Sequence, residues 1–215
     1  MKLNIFWFRR DLRLEDNAAL DRALASGLPV LPLFIFDTNI TDELLRDDAR
    51  ISFIHETLSD INSNLQKDGS SLYVLKGDPE EKWKELILSF EINAVFINKD
   101  YEPYAIQRDK EVEELLKSNG ISLFRFRDQV IFEESEIIKP DNKPYTIFTP
   151  YKNRWLKRLY ENPAVINQVK GEKHRKFYQF RYSFPSLQET GFIKSGIRVR
   201  PYDLSVISDY HKYRN

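Results

Sequence analysis

Two arginines and an aspartate follow directly after a short apolar run near the amino terminus. The run spans residues 3–8 and predicts a buried strand, and Arg9, Arg10 and Asp11 come next. Strand-to-helix junctions of this kind are where α/β proteins place ligand chemistry. Because a guanidinium group donates paired hydrogen bonds and stacks on flat rings, these residues suit a planar, partly anionic ligand.

Two neighbouring residues have a structural interpretation instead. The Asp16 carboxylate can cap a helix that begins at Asn17, and Arg13 can form an ion pair in the same turn. We favour that role for Arg13 and Asp16, which leaves Arg9 and Arg10 open to a ligand.

Apolar runs alternate with helical patterns over the first 126 residues, which predicts an α/β fold with a parallel sheet covered by helices. The predicted strands are 3–8, 29–36, 72–75, 94–98 and 123–126, and the predicted helices between them are 17–25, 49–65, 79–90 and 103–118. Right-handed crossovers favour a Rossmann-like five-stranded sheet of order 3-2-1-4-5.

In that order the connections diverge between strands one and four, so the crevice at their carboxyl ends is the expected binding site. The residues expected to line it are Arg9, Arg10, Asp11, Phe36, Asp37, Arg50, Asp100 and Glu102. No Gly-x-Gly-x-x-Gly follows strand one, and the chain has only 7 glycines. A tightly wrapped dinucleotide is therefore disfavoured relative to a planar chromophore held by arginine and aromatic side chains.

Three ordered segments resemble the DNA photolyase and cryptochrome family. They read WFRRDLRLEDN at 7–17, NKDYEPY at 98–104 followed by Arg108-Asp109, and YTIFTPYKNRW at 145–155, with a weaker match at 210–215. The resemblance implies the amino-terminal domain of a deoxyribodipyrimidine photolyase, a blue-light-driven DNA repair lyase. In that family a large helical domain, which would follow Asn215, holds the catalytic flavin adenine dinucleotide (FAD).

The resemblance also implies cofactors and partners. This domain of the family carries a light-harvesting antenna chromophore, and relatives that use methenyltetrahydrofolate have Asn-Glu where this chain has Tyr104-Ala105. An 8-hydroxydeazaflavin or a flavin is thus favoured over the folate, with an empty pocket as a third alternative. FAD, damaged DNA and the helical domain are expected only with the full-length parent, and the fragment alone is expected to be inactive and monomeric.

Two alternatives remain open at this point. The parent of the same architecture could be a cryptochrome photoreceptor, since the pocket that would distinguish the two lies outside these 215 residues. The chain could also be a free-standing nucleotide-binding α/β module.

The expected division of the chain is an antenna domain at 1–132, an exit segment and linker at 133–201, and the start of the helical domain at 202–215. The linker is expected to contain a helix at 151–160 and to wrap over the missing domain. Residues 150–181 carry nine Lys/Arg against two Asp/Glu, although the whole chain balances at 33 of each. For the basic and aromatic stretch 170–181 we favour a linker with docked aromatics over a nucleic-acid strip.

The amino-acid composition excludes several kinds of site and of protein. The chain has no cysteine, which excludes disulfides and thiolate metal sites within it, and three widely spaced histidines do not form a ligand pattern. No apolar segment approaches the length of a membrane span, so a cytoplasmic protein is expected. Trp7, Trp83 and Trp155 are expected to pack in the core rather than to form an electron-transfer chain.

Overall fold

The computed structural model describes residues 1–162, 176–197 and 204–213, and a five-stranded parallel sheet lies at its centre. The strands are β1 (Leu3–Phe8), β2 (Val30–Asp37), β3 (Tyr73–Gly77), β4 (Ile92–Asn98) and β5 (Ser122–Phe126). Their order is β3-β2-β1-β4-β5, and every pairing is parallel. The predicted fold class and strand order are confirmed.

Helices connect the strands and continue beyond them. They are α1 (Ala18–Leu24), α2 (Thr38–Thr41), α3 (Ala49–Lys67), α4 (Pro79–Ser89), α5 (Pro103–Ser118) and α6 (Phe148–Glu161), and a 3-10 helix at Leu204–Asp209 precedes α7 (Tyr210–Tyr213). The single turn α2 was not predicted from sequence.

The predicted cap of the first helix was wrong by one residue. Asn17, not Asp16, is the N-cap of α1, and its side-chain oxygen accepts the N–H of Leu20 at 3.1 Å. Asp16 has a φ of 50°, a left-handed conformation in which it ends the preceding turn instead of entering the helix.

The sheet separates two apolar layers, because alternate residues of each strand point to opposite faces. Phe6 and Phe8 of β1 pack in the layer covered by α1 and α3, whereas Ile5 and Trp7 pack in the layer covered by α4 and α5. The Trp7 and Trp83 rings meet edge to face with centroids 5.4 Å apart. The core role predicted for these two tryptophans agrees with their burial.

Residues 176–197, which we call the return segment, pack back against this domain. Phe177 forms a parallel bridge with Val30, whose N–H donates to the Lys176 carbonyl at 2.9 Å and whose carbonyl accepts the Tyr178 N–H at 2.8 Å. Phe177 belongs to the α1/α3 layer, and Tyr178 and Phe180 pack against the other one. The docking of these aromatics agrees with the linker interpretation, but this part of the linker covers the α/β domain itself.

Several predictions concern residues outside this description. Half of the basic stretch 170–181 and the predicted start of the helical domain at 202 fall on residues 163–175 and 198–203, whereas the helix predicted at 151–160 lies within α6. The domain boundaries at 132 and 201 remain predictions. In the portions of the chain that the structure describes, no helix is both long and apolar enough to cross a membrane.

Candidate functional site

The turn after β1 is held by the Asp11 carboxylate. One oxygen accepts the backbone N–H of Arg9 at 2.9 Å, and the other accepts the side-chain amides of Asn98 and Asn17. Both asparagines are buried. Asp11 therefore uses its acceptors inside the fold, where it fixes the direction in which Arg9 and Arg10 leave the sheet.

Asp128, which follows β5, joins the same turn to the last strand. Its carboxylate accepts the N–H of Ala18 at 3.0 Å and receives the guanidinium of Arg13, which lies 2.9 Å from both of its oxygens. Arg13 also donates to the carbonyl oxygen of Asp16 at 3.1 Å. Arg13 is thus a structural residue, with Asp128 rather than the Asp16 carboxylate as its ionic partner.

Arg10 reaches across the crevice between β1 and β4. Its Nη1 lies 3.4 Å from Glu102 Oε1 and 3.7 Å from Asp100 Oδ1. The Arg10 and Glu102 side chains are 62% and 66% exposed, whereas Asp100 is largely buried. The structure places these three predicted residues together, on the same side of the sheet and open to solvent.

Arg9 and Asp37 point elsewhere, into a buried ionic cluster with α5. Arg9 forms an ion pair with Asp109, whose other oxygen accepts Arg108 Nη2 at 3.0 Å. Arg108 Nη1 also lies 3.7 Å from Asp37 Oδ2. The guanidinium carbons of Arg9 and Arg108 lie 5.5 and 5.0 Å from the centre of the Trp7 ring, within the range of cation–π attraction.

Tyr104, in the first turn of α5, also contacts this cluster through Asp37. Its hydroxyl donates to Asp37 Oδ2 at 2.7 Å, and the N–H of Asn39 donates to Asp37 Oδ1 at 3.0 Å. Burial and, to a lesser degree, the contact with Asp37 raise the pKa of Tyr104 to about 12. The phenol therefore stays protonated at neutral pH and remains a hydrogen-bond donor, which ties α5 to the end of β2.

The last two predicted residues have separate surroundings. Phe36 is buried in the α1/α3 layer, where its ring meets Phe34 edge to face. Arg50 is 71% exposed and holds Asp48, the N-cap of α3, at 2.8 Å, and its hydrogen bond lowers the pKa of Asp48. Arg50 thus pairs with Asp48, and neither Phe36 nor Arg50 lines the cleft between β1 and β4.

A cleft of about 70 Å³ opens at this carboxyl edge of the sheet. The residues that line it are Arg9, Arg10, Asp11, Arg13, Asn98, Lys99, Asp100, Asp128 and Gln129. From the sequence, Asn98 and Asp109 were named only within the family-like segments, and neither of them, nor Asp128, was assigned to the binding site. Asn98 ends β4 and Asp128 stands two residues after β5, so a systematic search for polar residues at strand ends would have found both.

No candidate metal centre emerges from the residues that the structure describes: no three His, Cys, Asp or Glu side chains group there in a way that could hold an ion. His55 instead lies with its Nε2 2.8 Å from the Pro185 carbonyl oxygen, where it ties α3 to the return segment.

The sequence and the fold of this chain were compared with those of known proteins. The family model described as DNA photolyase matches residues 4–168. The chain belongs to the DNA photolyase and cryptochrome family. The deoxyribodipyrimidine photolyase of a Synechococcus strain is 33% identical over 97% of the chain, and that of Alkalihalophilus pseudofirmus is 29% identical over 97%. Cryptochrome-1 of Arabidopsis thaliana is 29% identical over 76% of it.

Solved structures of family members share the fold. The class III photolyase of Agrobacterium tumefaciens superposes with a TM-score of 0.75 over 99% of this chain and 41% of its own, at 24% identity. An archaeal photolyase from Sulfolobus tokodaii, solved with two FAD molecules, gives a TM-score of 0.59 at 32% identity over 65% of this chain and 32% of its own. The chain spans 44% and 43% of the length of the two curated photolyases above.

Proposed function

We propose that this chain is the antenna domain of a deoxyribodipyrimidine photolyase, and that the carboxyl edge of its sheet binds a light-harvesting flavin or deazaflavin. In the full-length parent, a helical domain with FAD would use the absorbed energy to repair damaged DNA. The photolyase relatives favour repair over cryptochrome signalling, because they match at up to 33% identity over 97% of the chain.

The observation that carries the proposal is the position of Arg10. It lies where the sheet connections diverge, between Asp100 and Glu102, and its contacts of 3.7 and 3.4 Å are long for charged groups. Because the Arg10 side chain is mostly exposed, its guanidinium can bind a planar ligand in place of Asp100 and Glu102 without disturbing the core. The cleft is smaller than the roughly 300 Å³ of ordinary ligand sites, so the ring system would lie over the edge.

Tyr104 and Ala105 support a flavin over a folate. The Tyr104 hydroxyl is engaged with Asp37, and Ala105 is buried with no polar group to offer a ligand. The acidic side chain that folate-binding relatives carry at the second position is thus replaced by a methyl group. The Sulfolobus tokodaii photolyase, which holds two FAD molecules, supports a flavin as second chromophore in a relative.

The experiment is a fluorescence titration of the wild-type chain and Arg10→Ala with riboflavin, a deazaflavin and methenyltetrahydrofolate. We expect the flavin or deazaflavin to bind, the folate not to bind, and Arg10→Ala to weaken binding by about 1.5–3 kcal/mol, the range for a hydrogen bond to a charged group. The melting temperature of the variant should stay unchanged.

Arg22→Ala is the matched control, since Arg22 is an exposed arginine in the last turn of α1. It should leave both binding and melting temperature unaltered. The proposal fails if Arg10→Ala lowers the melting temperature while neither protein binds any chromophore.

A further inference from the structure

The backbone donors that usually hold phosphate are already occupied in this domain. In nucleotide-binding α/β folds, phosphate binds to N–H groups at the start of the helix after strand one. Here the N–H groups of Ala18, Ala19 and Leu20 donate to Asp128 Oδ1, Asn98 Oδ1 and Asn17 Oδ1 at 3.0, 2.9 and 3.1 Å. A phosphate in their place would displace all three acceptors and would leave the buried Asn98 Oδ1 without a donor, which is costly.

The side chains of the cleft do not attract a phosphate either. Its four cationic residues all have carboxylate partners: Arg9 with Asp109, Arg10 with Asp100 and Glu102, Arg13 with Asp128, and Lys99 with Glu133. Asp11 lines the cleft as well and is engaged with a backbone N–H and two amides rather than a cation. The side chains that line the cleft are four cations and three carboxylates. With the ion-pair partners behind them, including Arg108 and Asp37 of the Asp109 cluster, the linked groups are five cations and seven carboxylates, which is an excess of negative charge.

From these two observations we infer that the chromophore of this domain has no phosphate group. The inference rests on the proposed function and narrows it: riboflavin-like and deazariboflavin-like molecules fit the edge, whereas flavin mononucleotide (FMN) and FAD are selected against. Arg10 at this edge is 62% exposed, so the size of a phosphate would not keep it out, and the selection is electrostatic and not steric.

Riboflavin and FMN differ by the phosphate alone, so the ratio of their dissociation constants isolates its effect. For the wild-type chain at low ionic strength we expect FMN to bind about tenfold more weakly than riboflavin, or weaker still, through repulsion by the excess carboxylates. The ratio should fall towards one in about 1 M salt, where screening acts within about 3 Å.

A charge variant tests the cause. Glu102→Gln removes one negative charge from a side chain that is two-thirds exposed, so the fold should be kept. It should lower the FMN to riboflavin ratio by about threefold or more. The matched control is Glu114→Gln, an exposed carboxylate on α5 twelve residues later, which is about 18 Å along the helix. Its ratio should equal that of the wild type.

The outcomes separate the two proposals. If riboflavin binds and FMN binds as tightly or more tightly, the absence of phosphate is refuted while the antenna site stands. If Glu102→Gln and Glu114→Gln change the ratio equally, the electrostatic selection by this edge is also refuted. If neither riboflavin, FMN nor a deazaflavin binds, the proposed function fails and this inference fails with it.

Discussion

At the scale of residues, two adjacent arginines perform different tasks. Arg9 is buried against Asp109, and Arg10 is exposed at the crevice beside Glu102. The chain bends at these two residues, directly after β1, so one side chain enters the layer under α5 while its neighbour stays at the crevice, where a ligand can reach it. Substituting Arg9 should therefore lower the stability of the domain, whereas substituting Arg10 should weaken the binding of the chromophore.

The first stability prediction concerns the buried ionic cluster around Asp109. Asp109→Asn leaves the guanidinium groups of Arg9 and Arg108 without their carboxylate in a buried setting. Breaking a buried ion pair on one side costs about 3–5 kcal/mol, and we expect a loss of that size in the free energy of unfolding, measured by urea denaturation.

Glu113→Gln on the same helix serves as its control. Glu113 pairs with Arg125 at 2.8 Å, but both side chains are partly exposed. The expected cost is below about 1 kcal/mol. Equal losses for the two variants would mean that the Asp109 cluster does not stabilise the domain as its burial indicates.

At the scale of elements, the return segment pairs with the start of β2, which extends beyond the amino-terminal end of β3. β3 begins opposite Leu33, so Val30 at the start of β2 has no β3 neighbour, and Phe177 pairs there instead. The hydroxyls of Ser70 and Ser71 donate to the Tyr178 and Phe180 carbonyls at 2.8 and 2.9 Å. A segment distant in sequence is thereby part of the core of the α/β domain.

Phe177→Ala tests this assignment. The side chain is 3% exposed, and removing a buried phenylalanine leaves a cavity that costs about 3–5 kcal/mol of unfolding free energy. Phe148→Ala removes the same group from α6 at a side chain that is 73% exposed, and there we expect a change within about 0.5 kcal/mol. A negligible effect of Phe177→Ala in chemical denaturation would show that the return segment is dispensable for the domain.

At the scale of the whole molecule, the chain covers under half the length of its curated photolyase relatives. In the part of the chain that the structure describes, the clefts at the carboxyl edge and beside α3 hold about 70 and 250 Å³, each below the roughly 300 Å³ of ordinary ligand sites. Lys+Arg and Asp+Glu are equal at 33, so no overall positive field attracts DNA. These features support the antenna role that we propose for this polypeptide.

We accordingly expect that the 215-residue polypeptide alone splits no pyrimidine dimers under blue light and binds DNA only weakly and in a salt-sensitive way. The assay is loss of dimers from irradiated DNA, with the full-length Synechococcus photolyase as positive control. Light-dependent repair by the polypeptide on its own would contradict the proposed division of labour.

Much of the fold could be predicted from sequence because its determinants are local. Strand periodicity, glycines after helices and prolines in first turns mark the elements, and right-handed crossovers then leave few strand orders. The predicted β1 agrees with the structure at both ends, and α5 begins and ends where its proline and glycine signals place it. The same topology brought Arg10 and Glu102 to one crevice.

The pairing of the charged side chains was decided only by the tertiary structure. Arg9 and Asp109 are 100 residues apart, and their contact depends on how α5 packs against the sheet, which local pattern does not specify. Asp11 and Asp37 looked like ligand groups, yet buried asparagines and Tyr104 use their oxygens. The sequence determined which polar residues reach the carboxyl edge, whereas packing decided which of them satisfy one another and which remain for a ligand, because buried polar groups must find partners first.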